Sequence, residues 1–553
     1  MKTFAKFLAL AIIFLLMSQV NVRAQIQVGD TLSFWSVAYV DWDPGYPIEQ
    51  QLISAVCNSV GEQSYVFIDT AVSQAPNQDR IDALVAAFDN DYSQNLPPLY
   101  GPVPDEFDGD PRVFILIVAE EMWSGYFDPV QQMPDSMVYR LWEKHSSERE
   151  IIYISELAFL YNSEHNGVAH ELGHMLHWGQ DHSPEPPGDP VIYWEDGWID
   201  ESFSNFATVY LIEDVTVPGM WDAGAFFAVD PNLPLIYFNS QYSYDQMKLW
   251  STFMYEHYGG ADFTSTLIQD QANGIPGVRN TLSRLGHTES FEDTFEHWVL
   301  ANYLDDEIYQ GGRYSYNHFN FPSCHLKANH FNYPTGPVTG NIFSFAAEYI
   351  AFYTSSPASI SIDFTGDAAS LFRVDAILYD REDHEVEGVV SVPLDSLNVG
   401  SYYTDDFGTI YDQIIMVVMN VDSSLAEGDS AEYTYLADIE AAGIVDDGGS
   451  GSGDFPKTSL SLNQNYPNPF NPSTTISFYV PDGTGENEST NLSIYDVRGR
   501  MIRTLIDARL EPGTHKIVWD GRNDRGGTVA AGIYLCTLVS GEMIDTSKMT
   551  ILK

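Results

Sequence analysis

One stretch constrains this chain more than any other: AHELGHMLHWG, Ala169 to Gly179. It carries His170, Glu171 and His174. A helix completes a turn every 3.6 residues, so the two histidines project from one face, one turn apart. Two imidazoles so placed can hold one metal ion, with the adjacent carboxylate beside a metal-bound water. Val168, Leu172, Met175 and Leu176 are apolar at helical spacing, and Gly179 reads as the stop. The stretch therefore predicts a buried helix.

Two histidines do not complete such a site. Zinc takes a third protein ligand and keeps an open position for water. The segment WIDESFSNFA, Trp198 to Ala207, offers Glu201 on a second expected helix, with Trp198, Phe203, Phe206 and Tyr210 available to bury it. His177 shares the first helix face but lies about 4.5 Å along the axis beyond His174 and about 10 Å beyond His170. It reads as rim or substrate pocket. Asp181 and His182, in the exit loop, are weaker alternatives. The metzincin arrangement fails, because His177 and Gln180 stand where it needs a glycine and a further ligand.

HELGH followed by WIDESF resembles the gluzincin metallopeptidases, which pair HExxH with a glutamate in a segment such as W-L-N-E-G. The resemblance implies that His170, His174 and Glu201 bind zinc and that Glu171 is the general base. Many gluzincins carry an aspartate four residues after the glutamate ligand, where it orients a ligand histidine. Here that position is Asn205. Its amide oxygen can accept a ring N–H but brings no charge, so if Asn205 plays that role His170 is expected to be a slightly weaker donor. FDGDPRVFILI, GYFDP and SEREIIYI resemble, more loosely, the stretch ahead of the motif in hyicolysin-like secreted bacterial metallopeptidases. Gluzincins commonly aim a tyrosine or histidine at the developing oxyanion, and Tyr242 and Tyr244 are the candidates here.

The implied activity is a secreted zinc-dependent endopeptidase acting on protein or peptide substrates. Zinc would activate a water whose proton Glu171 removes. Two alternatives are a zinc aminopeptidase and a non-catalytic cell-surface adhesin on a zincin scaffold. The G-x-M-E-N type anchor of gluzincin aminopeptidases is not found in the sequence, and retention of Glu171 argues against the adhesin.

The rest of the chain divides by pattern into a multidomain protein: an α+β zincin-like catalytic domain followed by two all-β sandwich domains, the last Ig-like. Residues 1–24 read as a signal peptide, with Lys2 and Lys6 ahead of an apolar core too short to span a bilayer comfortably. Residues 25–333 form the expected catalytic domain, with strands at TLSFWSVAYV, SYVFID and Arg112 to Ala119. Asn77 would cap a helix burying Ile81, Leu84, Val85 and Phe88. Further helices are expected near Tyr244 to Tyr258 and over Glu292 to Leu304. Residues 334–442 read as a β-sandwich whose segments, QIIMVVMNV included, alternate apolar and polar. DDGGSGSGD marks a flexible linker, 443–454.

Residues 455–553 carry NYPNPFNPSTTI, YDVRGR and a late GxY strand. They resemble the sorting domain of cargo of the Por, or type IX, secretion system of Bacteroidetes-type bacteria. That implies a partnership with this machinery and release or attachment outside the outer membrane.

Composition sets limits on partners. The formal net charge is −53, from 78 acidic and 25 basic residues, which excludes a nucleic-acid partner needing a basic surface. Calcium is a candidate second cation, with Asp108 and Asp110 ahead of a strand, although a plain turn explains them better. Of the three cysteines, Cys57 and Cys324 could pair in an exported protein, and Cys536 is expected buried and free.

Overall fold

A computed structural model describes residues 26–38, 49–74, 76–104, 109–119, 125–181, 195–212, 230–237, 243–317, 324–441, 461–462, 470, 473–480, 489–496, 500–510, 513–541 and 543–551. The signal peptide, Asp108, His182, Tyr242, the linker and most of the loop after Gly179 lie outside the described residues.

The N-terminal region is a mixed sheet with helices on one face. Its strands are β1 (Thr31–Ala38), β2 (Glu49–Val60), β3 (Ser64–Asp69), β4 (Val113–Val118), β5 (Gly125–Phe127) and β6 (Ile151–Ser155), in the order β1-β2-β3-β4-β6-β5. β3, β4 and β6 run parallel, and β5 closes the edge antiparallel to β6. The all-apolar VFILIV of β4 is buried throughout, as expected of a parallel strand covered on both faces.

Helices follow as α1 (Gln78–Ala87), α2 (Asp135–Trp142), α3 (Glu156–Tyr161), α4 (Glu164–Asp181), α5 (Gly197–Leu211), α6 (Ser243–Tyr258), α7 (Ala261–Ile268), α8 (Ile275–Arg284) and α9 (Phe291–Leu304). Asn77 caps α1 by accepting from the Asp79 N–H, and Ile81, Leu84, Val85 and Phe88 are buried. α4 buries Val168, Leu172, Met175 and Leu176. Gly179 does not stop it. The helix runs on to Asp181, and a Cβ at Gly179 would lie 2.6 Å from Pro104 Cγ, so close approach explains that glycine.

Next come β7 (Leu326–His330), β8 (Val338–Phe343), β9 (Ala346–Tyr353), β10 (Ala358–Gly366), β11 (Phe372–Asp380), β12 (Glu385–Ser391), β13 (Val399–Phe407), β14 (Gln413–Asn420) and β15 (Ser430–Ala441). They form two sheets, β13-β10-β15-β8 and β12-β11-β14-β9-β7. Two expectations need correction. β7 pairs parallel with β9, so the sandwich begins before residue 334. β14 does not alternate: every residue from Gln413 to Asn420 is buried. Ile414, Met416 and Val418 face the core between the two sheets, whereas Ile415, Val417 and Met419 join the core of the N-terminal helices. A strand buried on both faces reads as a continuous apolar run.

The last unit is a separate pair of sheets, β16 (Ser461–Leu462), β17 (Thr474–Val480) and β20 (Gly513–Trp519) against β18 (Thr490–Asp496), β19 (Met501–Ala508), β21 (Gly532–Ser540) and β22 (Met543–Ile551). Trp519, Phe470, Phe478 and Leu538 centre its own core. Among the described residues, no helix is long and apolar enough to cross a membrane.

All three cysteines are buried and free. Cys57 and Cys324 do not pair, because they lie in different cores. Burial, with Asp30 nearby, pushes the Cys57 thiol up to about 11. Asp110 is held by Arg112, at 2.7 Å from both Nε and Nη2, and by the Tyr65 hydroxyl at 2.7 Å. Both Asp110 carboxylate oxygens thus accept from protein donors.

Candidate metal centre

α4 and α5 make the site, and a glycine lets them approach. A Cβ on Gly173 would fall 2.9 Å from Ser204 Cα, too close for any other residue without a shift. Gly173 lies between His170 and His174, so the tight crossing occurs beside both imidazoles. α5 is braced from behind. Tyr100 donates to the Phe203 carbonyl at 2.6 Å, and Ser251 of α6 donates to the Ser202 carbonyl at 2.8 Å. Trp198, Phe203 and Phe206 are buried as expected, whereas Tyr210 stays exposed at 36%.

This packing brings together the three residues singled out from the sequence. His170 Nε2 and His174 Nε2 are 3.1 Å apart. Glu201 Oε2 lies 3.3 Å from the first and 3.7 Å from the second. A triangle with those sides has a centre about 2.0 Å from each atom, the bond length zinc takes to imidazole nitrogen and carboxylate oxygen. Among the described residues, this is the one group of three His, Cys, Asp or Glu side chains close enough to share an ion. Two nitrogen lone pairs and a carboxylate oxygen converging so closely repel one another unless a cation or proton lies between them.

The electrostatics agree. Burial opposes the charged form of His174, but the carboxylates of Asp200 and Glu201 outweigh it and push its pKa up to about 10. The site thus attracts positive charge. Glu171 is buried on the same helix, and burial raises its carboxyl above the usual range despite both histidines. Gly125 of edge strand β5 lies beside it: a Cβ there would be 3.4 Å from Glu171 Cγ. The Tyr244 ring stands edge-on to His170, with centroids 6.1 Å apart. Tyr242 and His182 lie outside the described residues, as does any account of the Asp181 side chain.

Two neighbours behave differently from expectation. Asn205 donates its amide to the Glu201 carbonyl of its own helix at 2.7 Å. His177 is not on the rim; it is 1% exposed and lies 3.3 Å from Asp200 Oδ1. Sequence reasoning missed Asp200, whose Oδ2 is 2.9 Å from His174 Nδ1. The available signal was an acidic residue adjoining Glu201, but acids are ordinary in a first helical turn. It also missed Glu195, 4.0 Å from His177 Nε2.

Residues 470–542 match the family described as FlgD Ig-like domain, so the last unit is an Ig-like domain. No curated protein matches the chain. Among solved structures, PorZ, a surface component of the type-IX secretion system of Porphyromonas gingivalis, is 20% identical over 17% of this chain and 11% of that one, with a TM-score of 0.13. Latent PorU from the same organism is 14% identical over 37% of this chain and 20% of that one, with a TM-score of 0.17. The adhesin domain of Epf from Streptococcus pyogenes is 9% identical over 39% of this chain and 76% of that one, with a TM-score of 0.13. Likenesses of this size carry no argument about the site.

Proposed function

We propose that this protein is a secreted, zinc-dependent endopeptidase of the gluzincin kind. The observation that supports it most is the meeting of His170 Nε2, His174 Nε2 and Glu201 Oε2 around a point about 2.0 Å from each. Zinc bound there supplies Lewis acidity, which lowers the pKa of a water and polarises a carbonyl.

The chain's own groups do the rest. Glu171, buried and raised in pKa, takes a proton from the attacking water as its oxygen bonds to the scissile carbonyl carbon. It then delivers that proton to the amine nitrogen as the C–N bond breaks. Tyr244, beside His170, is the candidate donor to the developing oxyanion. β5 is the sheet edge next to Glu171, and an extended peptide could lie along it by strand pairing. Export rests on the sequence features at 1–24 and 455–553, read as a signal peptide and a type IX sorting domain.

Metal analysis with a cleavage assay tests this reading. The purified chain should hold one zinc and cleave casein and an end-blocked peptide, and a chelator should abolish both cleavages. Cleavage of free-amine peptides alone would point to an aminopeptidase. Bound zinc without hydrolysis would point to an adhesin.

A further inference from the structure

We propose that Asp200, held from behind by His177 and Glu195, is the positioning residue that orients the ligand His174. This inference rests on the zinc reading above and deepens it.

His174 presents Nε2 to His170 and Glu201 and turns Nδ1 away, to Asp200 Oδ2 at 2.9 Å. An imidazole whose Nδ1–H donates to a carboxylate keeps its lone pair on Nε2, aimed where an ion would sit. The negative charge also strengthens the donor nitrogen, which a neutral amide does less well. Asn205, where the gluzincin resemblance would place a carboxylate, donates its amide N–H to the Glu201 carbonyl of its own helix.

Asp200 is itself restrained. Its second oxygen lies 3.3 Å from Nδ1 of the buried His177, whose Nε2 faces Glu195 Oε2 at 4.0 Å. Glu195 accepts from the Gly274 N–H at 2.7 Å and the Asp196 N–H at 2.6 Å. Gly274 caps α8, so the row of side chains ends on a helix N-terminus that favours the Glu195 charge. A swing of Asp200 away from His174 would also break its contact with a histidine that has no room to follow.

The test compares full-length wild type with Asp200→Asn, His177→Gln and Asn205→Ala. Zinc affinity is measured by competition with a chromophoric chelator, alongside the visible spectrum of the cobalt-substituted protein. Asp200→Asn should weaken zinc about 10- to 100-fold and shift the cobalt bands. His177→Gln should do the same more weakly, and Asn205→Ala should leave affinity unchanged. If Asp200→Asn does not fold, the His177→Gln spectrum decides. Wild-type affinity and an unshifted spectrum in the folded Asp200 and His177 variants would overturn this inference alone. A wild type that takes up no zinc would overturn the zinc reading with it.

Discussion

In the first β-sandwich, β14 is buried along its whole length; in the last, β19 keeps both ends exposed. The first sandwich has given up one outer face. Tyr349, Ile377, Ile415, Val417 and Met419 belong to the same core as Trp198, Trp250 and Phe291 of the helical region. Polar groups cross that boundary too. Tyr349 donates to the Val299 carbonyl at 2.7 Å, Arg373 meets Asp293 and Glu296 of α9, and Asn232 donates to Glu348 at 2.9 Å. The last sandwich keeps its core to itself. Similar architecture therefore serves two purposes: one sandwich completes the core of the region that carries His170, His174 and Glu201, and the other is an Ig-like module of its own.

The sharpest way to break this contrast is truncation. A chain ending at residue 325 would lose all five of those sandwich side chains and bare the helical face they cover, Trp198, Trp250 and Phe291 included, at about 1.5–3 kcal/mol per large apolar side chain exposed, on the order of a whole domain's stability. It should fail to give a cooperative calorimetric transition. A chain ending at residue 441 should keep its main transition within about 2 °C, since it loses no part of that core. Cooperative unfolding of the shorter chain would show that the first sandwich is separable after all.

Acidity gives a second handle. Burial, and then Glu296, raise the Asp375 carboxyl to about 7. The folded chain therefore holds a proton that the unfolded chain has lost above about pH 4. That contribution is complete below about pH 4 and is lost as pH rises through 7, by at most on the order of 4 kcal/mol. His297, held down to about 4 by burial and Arg313, acts oppositely, with stability rising from pH 4 to about 6.5. Asp375→Asn removes only the first effect. Urea unfolding from pH 4 to 8 should show the wild type losing stability relative to the variant, and parallel curves would contradict this placement of Asp375.

The smallest effect is expected from Tyr349→Phe. It removes one hydrogen bond to α9 and should cost about 1 kcal/mol, lowering the main transition by a few degrees and leaving any separate transition of the last domain in place.

Much of this was legible in the sequence. Helical spacing alone put His170 and His174 on one face, and the apolar stripe from Val168 to Leu176 told which face was buried. Glu201 stood in the sequence as one candidate third ligand, and the resemblance singled it out, because its distance from the histidines depends on how closely α5 crosses α4 at Gly173. Asp200 and His177 were not legible, since neither spacing nor residue type says that a carboxylate will bridge two imidazoles across helices. The fused sandwich did leave a trace. QIIMVVMNV is a nearly continuous apolar run, which signals burial on both faces, although the segments around it alternate.

The most direct test of the metal centre is to separate holding the ion from moving the proton. Glu171→Gln should retain one zinc per chain at wild-type affinity while cleavage of casein falls at least about 100-fold, the usual size of a lost general base. A Glu171→Gln protein that still cleaves as the wild type does would contradict the account.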